Sequence, residues 1–525
     1  MLDFDLQFWS WLFLAIYLVA MVCFGFIGMR KVSGSDDFAT ARDSYGPLFL
    51  AFAVVATTAS GGTFIGLPAL GYKAGFSALW YAFVYPIAVY LGVIICLRGI
   101  RRAGDAFGNR SIPEYLGDRF QSEALRVLVA LFSMLLLFYL AGQLLAGAVM
   151  FNKMMGIPVL PALLVTSGII MLYLVIGGAH ADILTDGVQG ALMLLLAIFV
   201  GYMFFSGFGI EGGYTAMVHR LVNLDPDLVK TLHPTHPVLN SWWDVFAIFV
   251  AHLPLGLLPH IGNKLWALKG NQAQNKFIFY AFTFGMIMPC LALGGIVARA
   301  VLGDSLIEDG AGANYAIPAL FIATLPAWLA ALIGAGVLAA IMSTADGLVL
   351  STSQIFANDI YRRTIVPRLK SPVDDSVVDE MALRLSRITM VIVMAGSVWM
   401  AWEFQSMNVA LLIIAGVGGM LAAICGPIYA GILWRGATKA GALTGFTVGG
   451  GLFLVLKGQL LSPSIFEGTF VEGPALWALS QHSNAFSCST IGAIASVASV
   501  VIVSQFTKAP AVSYTHLRAH ETVDY

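Results

Sequence analysis

Apolar residues in this chain gather into long, nearly uninterrupted runs separated by short polar stretches. About 20 apolar residues, wound as a helix, cross the hydrocarbon core of a bilayer. Thirteen runs qualify: 8–29, 47–72, 76–97, 126–151, 158–178, 184–207, 242–260, 277–301, 325–357, 384–404, 408–434, 438–457 and 484–506. The first exceeds a signal-peptide core and lacks a basic leader, so it reads as a membrane helix. YAIPALFIATLP, ahead of the ninth run, reads as an external half-helix. The pattern predicts an all-α polytopic membrane protein with about thirteen transmembrane helices.

Two runs are interrupted. Ala53–Tyr72 reads AVVATTASGGTFIGLPALGY, with glycines, hydroxyl residues and Pro68 in its middle; five runs later AHLPLGLLPHIG carries Pro254, Gly256 and Pro259. Unpaired backbone groups are costly in lipid. Broken helices at equivalent places in two halves therefore mark an inverted-repeat transporter, whose freed carbonyls bind cations and whose freed N–H groups bind solute. The plainer reading is close helix packing by small residues.

Composition agrees with a lipid environment. Of 525 residues 59% are apolar and only 11% charged, against about a quarter charged in soluble domains; mean hydropathy is +0.84. A net charge of −1 argues against a nucleic-acid partner. The five cysteines, at 23, 96, 290, 425 and 488, sit in apolar runs without metal-ligand spacing, and the 9 histidines form no metal motif. Most Lys and Arg fall in one alternate set of loops, including Arg98, Arg101, Arg102, Arg126 and Lys264; the other set holds Lys73, Lys153, Arg220, Lys230, Arg299 and Lys457. That asymmetry places the N-terminus outside and the C-terminus inside a plasma (inner) membrane. The loops 98–125, 208–241, 358–383 and 458–483 are too short for a further domain, so function resides among the helices. From Ser513 the sequence SYTHLRAHETVDY departs abruptly; SYTHLRAHET resembles translated adapter sequence, and 513–525 is set aside as a non-native tail, with a short cytoplasmic tail as the other reading.

Candidate chemistry lies on three stretches. In GVLAAIMSTADGLVLSTS, Ala340, Ser343 and Thr344 stand at i, i+3 and i+4, giving one helical face a carbonyl and two hydroxyls. Such oxygens, joined by carbonyls of a broken helix, suit a hard monovalent cation; taken alone, they back-bond to their own helix. In GGAHADILTDGVQG, Asp186 sits near the cytoplasmic end of the sixth run. It is either an ion-coupling carboxylate or an interfacial helix cap. Asp346, one turn from Ser343, is a second ion-coupling candidate. His252 is a lone imidazole in the broken seventh run, readable as ligand or as packed histidine; His260 and Glu403 read as membrane-edge residues.

ATTASGGTFIGLP, RSIPEYLGDRF, GGAHADILTDGVQG and LAAIMSTADGLVLSTS resemble, in order, hallmark stretches of the sodium:solute symporter family, over about residues 8–506. The resemblance implies a leucine-transporter-like core of two inverted five-helix repeats, 47–207 and 242–434, with an extra helix at 8–29 and two more at 438–506. It implies a sodium ion held by carbonyls of Ala56, Ala59 and Ala340 and by hydroxyls of Ser343 and Thr344, with Asp186 linked to coupling. It places the small organic solute near Ser60, Gly61, Gly62 and Thr63, facing His252. Thr58 stands where proline transporters carry an acidic residue, which leans away from proline, and the ILTD stretch is closer to pantothenate- or monocarboxylate-like members. A monoanion carried with one sodium moves no net charge, which favours a second ion, with Asp186 as its place. The rival readings are a proton-coupled symporter of the same fold and a membrane sensor separated from its signalling domain; an enzyme lacks a reactive group at readable spacing. Oligomeric state is not legible in the chain.

Overall fold

A computed structural model describes residues 4–307, 312–369 and 373–508; the stretch from Ser513 lies outside them. Lipid offers backbone groups no hydrogen-bond partner, so apolar runs close their bonds internally as helices. The described residues are accordingly helical, and their β-pairing is confined to an isolated bridge between Tyr45 and Leu268.

In chain order the membrane elements are α1 (Phe4–Lys31), α2 (Pro47–Thr58), α3 (Leu67–Ala74), α4 (Ala78–Phe107), α5 (Glu123–Met155), α6 (Val159–Val175) and α7 (Gly177–Ser206). There follow α8 (Trp242–His252), α9 (Pro259–Ala267), α10 (Gln274–Leu302) and the short α11 (Ala316–Thr324). The last are α12 (Ala327–Gln354), α13 (Asp375–Glu403), α14 (Val409–Leu433), α15 (Lys439–Lys457) and α16 (Ala485–Gln505). Among the described residues ten helices are long and apolar enough to cross a bilayer, and the bent pair α8–α9 adds an eleventh. Two shorter apolar helices, α2 and α6, occupy the runs expected at 47–72 and 158–178, α2 being continued beyond its break by α3.

Glycines set two of the boundaries. Gly75 ends α3 at φ 59°, ψ −135°, and a Cβ there would strike the Leu228 carbonyl. Gly178 separates α6 from α7 at φ 52°, with a Cβ position 2.5 Å from the Phe38 ring. Both conformations are cheap only for glycine.

Small residues also let the helices approach. In α1, Gly28 would place a Cβ 2.7 Å from the Ala181 nitrogen of α7, and in α15 Gly449 would place one 2.5 Å from the Ala422 carbonyl of α14. This is the packing mode of helices in lipid, where contact replaces the hydrophobic drive. Apolar side chains such as Ile16, Leu195, Phe205, Ile392 and Trp399 face outward, as a lipid-facing belt requires. Buried polar groups gather where α2, α7, α9 and α12 meet.

Candidate ion and solute site

The first broken span creates the site. α2 stops at Thr58; Ala59 adopts φ −83°, ψ 78°, and helical turns resume at Gly62 in a π-type segment running to Gly66. The intact α12 lies against this break with Ser343 and Thr344 fully buried. The Ser343 hydroxyl lies 3.0 Å from the Ala56 carbonyl and 2.8 Å from that of Ala340, and the Thr344 hydroxyl donates to the Thr57 carbonyl at 2.8 Å. Five oxygens without formal charge, three carbonyl and two hydroxyl, thus lie along this contact, Ser343 with Ala56 and Ala340 and Thr344 with Thr57. Hydroxyl hydrogens rotate freely, so both hydroxyls can turn lone pairs toward a cation. Four of the five expected ligands, Ala56, Ala340, Ser343 and Thr344, meet here. Ala59 lies at the break, its N–H bonded to Val55 at 2.8 Å, and the carbonyl that Thr344 reaches is that of Thr57.

Beside the oxygens lies a charged cluster. Asp186 is fully buried within α7, so the interfacial-cap reading is corrected: the carboxylate faces the bundle interior. It forms an ion pair with Lys264 and lies 2.7 Å from the Thr57 hydroxyl. The Lys264 ammonium also reaches Asp182 at 3.0 Å and donates to the Thr57 hydroxyl at 2.6 Å. Lys264, expected in a cytoplasmic loop, is buried at 4% exposure because the bend before Pro259 carries α9 into the bundle. Asp346 accepts a 2.5 Å hydrogen bond from Tyr173, and a carboxylate oxygen of each of Asp182, Asp186 and Asp346 lies within 4.8 Å of the others. His260 is also buried, edge-on to Tyr139, rather than at a membrane edge.

The second break bends α8 from α9 by 49°, through the turn Leu255–Leu257 and an extended Leu258 that the following proline favours. It faces the first break across a cavity. Thr58, Ser60, Gly62, Thr63 and His252 line it together with Leu67, Tyr81, Tyr85, Tyr139, Leu255, Ala410, Ile413, Ile414 and Val417. Thr63 and Tyr85 share a 3.1 Å hydrogen bond. His252 Nδ1 lies 2.6 Å from the Ile248 carbonyl, so that nitrogen carries the donor hydrogen and leaves Nε2 as an acceptor. Gly61 is turned away: its N–H donates to Gln143 Oε1 at 2.7 Å, and a Cβ would meet Ala146 at 2.7 Å. The cavity measures about 40 Å³ over the positions a water centre can take, so this conformation holds a few waters or a small solute group.

Asp182, Lys264, Thr57 and the three tyrosines went unnoticed in the sequence. Asp182 and Asp186 stand at i and i+4, a spacing that puts both on one helical face. Lys264 sits in HIGNKLWALK, between Asn263 and the apolar Leu265–Leu268 and five residues before Lys269.

The model of the sodium:solute symporter family matches residues 38–449. The chain belongs to that family. As a member it is a polytopic membrane protein and a sodium-coupled solute symporter. The sodium/pantothenate symporter of Escherichia coli is 29% identical over 453 residues, covering 84% of this chain and 89% of the relative. A high-affinity proline transporter of Bacillus subtilis is 26% identical over 458 residues, covering 85% and 92%. Among solved structures, a Na+-coupled sialic acid symporter in a substrate-bound outward-open state superposes with a TM-score of 0.73 at 20% identity, covering 96% of this symporter and 99% of that chain. A nucleobase-cation-symport-1 family transporter in a closed conformation gives a TM-score of 0.53 at 13% identity, covering 92% and 97%. These likenesses show the fold, which is the leucine-transporter-like one.

Proposed function

We propose that this symporter binds sodium between the break of α2–α3 and the hydroxyl face of α12, and a small monocarboxylate, with pantothenate the first candidate, in the cavity on the other side of the same break. One observation carries the reading. Ala56 and Thr57 offer carbonyls to Ser343 and Thr344 while Thr58, Ser60, Gly62 and Thr63, the next residues along, line the cavity. An ion that fixes the first set orders the second, so sodium and solute each strengthen the other's binding by the same factor. The cavity meets its solute with hydroxyls of Thr58, Ser60, Thr63 and tyrosines and with one imidazole. The hydroxyls can donate to a carboxylate, and the imidazole, its Nδ1–H already given to Ile248, offers Nε2 as an acceptor to another group of the solute. Pantothenate is favoured over proline by Thr58, which stands where the sequence resemblance places an acidic residue in proline transporters, and by the likeness to the pantothenate symporter.

Rocking of one helix bundle against the other then exposes ion and solute to the opposite side. In this reading 47–207 and 242–434 are the inverted repeats, with the N-terminus outside and the C-terminus in the cytoplasm of a plasma-membrane protein. A charge crossing about 100 mV yields about 2.3 kcal/mol. A tenfold sodium gradient adds about 1.4 kcal/mol. A monoanion carried with one sodium draws on the second alone, enough for about tenfold accumulation.

Uptake of labelled pantothenate into proteoliposomes, with sodium replaced by choline at fixed pH, tests the reading. Uptake that follows sodium is expected. Uptake driven equally by a proton gradient in choline overturns sodium coupling, and sodium-driven uptake of proline without pantothenate overturns the solute.

A further inference from the structure

Asp182 and Asp186 on α7 and Asp346 on α12 each bring a carboxylate oxygen within 4.8 Å of the others, a spacing at which three ligands share one cation. All three are at most 1% exposed, and each keeps its Oδ1 without a hydrogen-bond partner among the described residues. Uncompensated charges at such depth are strongly unfavourable, so the cluster is neutralised by protons or by a positive charge. It receives one from a third helix. The Lys264 ammonium has three hydrogens, and it has three partners: Asp182, Asp186 and the Thr57 hydroxyl.

A structural ion pair requires one carboxylate per lysine. Here two carboxylates pair with one ammonium and a third, Asp346, lies within 4.8 Å of their oxygens, an oxygen set that would hold a free ion. The ammonium is also coupled to the sodium cage through a single residue, since Thr57 gives its side chain to Lys264 and its carbonyl to Thr344.

We infer that Lys264 is a tethered cation standing in the position of a second sodium ion, so that each transport cycle moves a single mobile sodium. This rests on the sodium reading above. It replaces the expectation of a second ion at Asp186, because that carboxylate is already engaged. Lys264 is a positioning residue in this scheme: it sets the ion count without touching the solute.

The test counts ions. Saturation binding of radiolabelled sodium to purified protein, which needs no solute, is expected to give one ion for wild type, two for Lys264→Met and one for Lys264→Arg, where the charge is kept. The Hill coefficient for sodium in Lys264→Met rises above one, as two interacting sites allow. Loss of packing alone would lower affinity without adding a site. Should Lys264→Met not fold, Asp182→Asn/Lys264→Met removes one charge of each sign and is expected to bind two ions at Asp186, Asp346 and the cage. Folded Lys264→Met, or the double variant in its place, binding one ion or none overturns the inference, as does wild type binding two. Wild type binding none overturns the sodium reading itself.

Discussion

Two buried oxygen clusters lie side by side in this molecule, each the place of a cation in the proposed function, and they are built on opposite principles. The cage between α2 and α12 is made of carbonyls and hydroxyls without formal charge. Its hydroxyls hydrogen-bond to its own carbonyls, Ser343 to Ala56 and Thr344 to Thr57, so the cluster is self-satisfied without an ion. The cluster on α7 and α12 is made of carboxylates and has no such resting arrangement. Its cation is delivered covalently, on α9, by Lys264. A site that must load and unload is neutral and reversible; a site of high charge density is kept filled. Buried polar groups stay affordable only when each has a partner in every state visited.

The largest change should come from straightening the break that feeds the neutral site. Gly61→Ala/Gly62→Ala favours helix at the interruption and sets Cβ atoms 2.7 Å from Ala146 and 3.1 Å from Ser60 Oγ. Sodium-driven uptake should vanish while membrane insertion persists; uptake at wild-type rate would show that the open backbone is dispensable.

Next in size is the charged site. Without sodium, Lys264→Met should lower stability by about 3–5 kcal/mol, the scale for stranding buried charge. Adding Asp186→Asn should return part of this, with a coupling of about 0.5–3 kcal/mol. Denaturation of the two single variants and the double variant measures it, and purely additive losses would separate the two residues energetically.

The smallest effect belongs to the cavity. Tyr85→Phe removes the hydroxyl paired with Thr63, a hydrogen bond of about 0.5–1.5 kcal/mol. It should raise the KM for solute about 2- to 12-fold and leave half-saturation by sodium within the coupling limit. An equal shift in sodium affinity alone would assign Tyr85 to the ion.

The neutral site was largely legible in the chain because its parts are local. GG beside GLP announces an interrupted helix, and Ser343 and Thr344 announce a hydroxyl face by spacing alone. Which carbonyl each hydroxyl meets depends on the rotation of one helix against another, and so Thr57 appeared only in three dimensions. The charged site was hidden for a different reason. A lysine at the end of an apolar run looks like a loop residue, and its depth is decided by the 49° bend that returns α9 to the bundle. Asp182 was readable four residues before Asp186, but neither residue reveals its counter-cation, which lies 78 residues from Asp186 in sequence. Tyr81, Tyr85 and Tyr139 come from α4 and α5, and spacing within one helix does not show that they share a cavity.

The neutral cage itself is tested most directly by sodium-stimulated uptake in Ser343→Ala/Thr344→Ala, reconstituted beside wild type at equal protein. Two hydroxyl ligands are gone while the break, the lysine cluster and the cavity remain. Stimulation by sodium should disappear, leaving only the choline background. Undiminished stimulation, with an unchanged half-saturating sodium concentration, would contradict the cage.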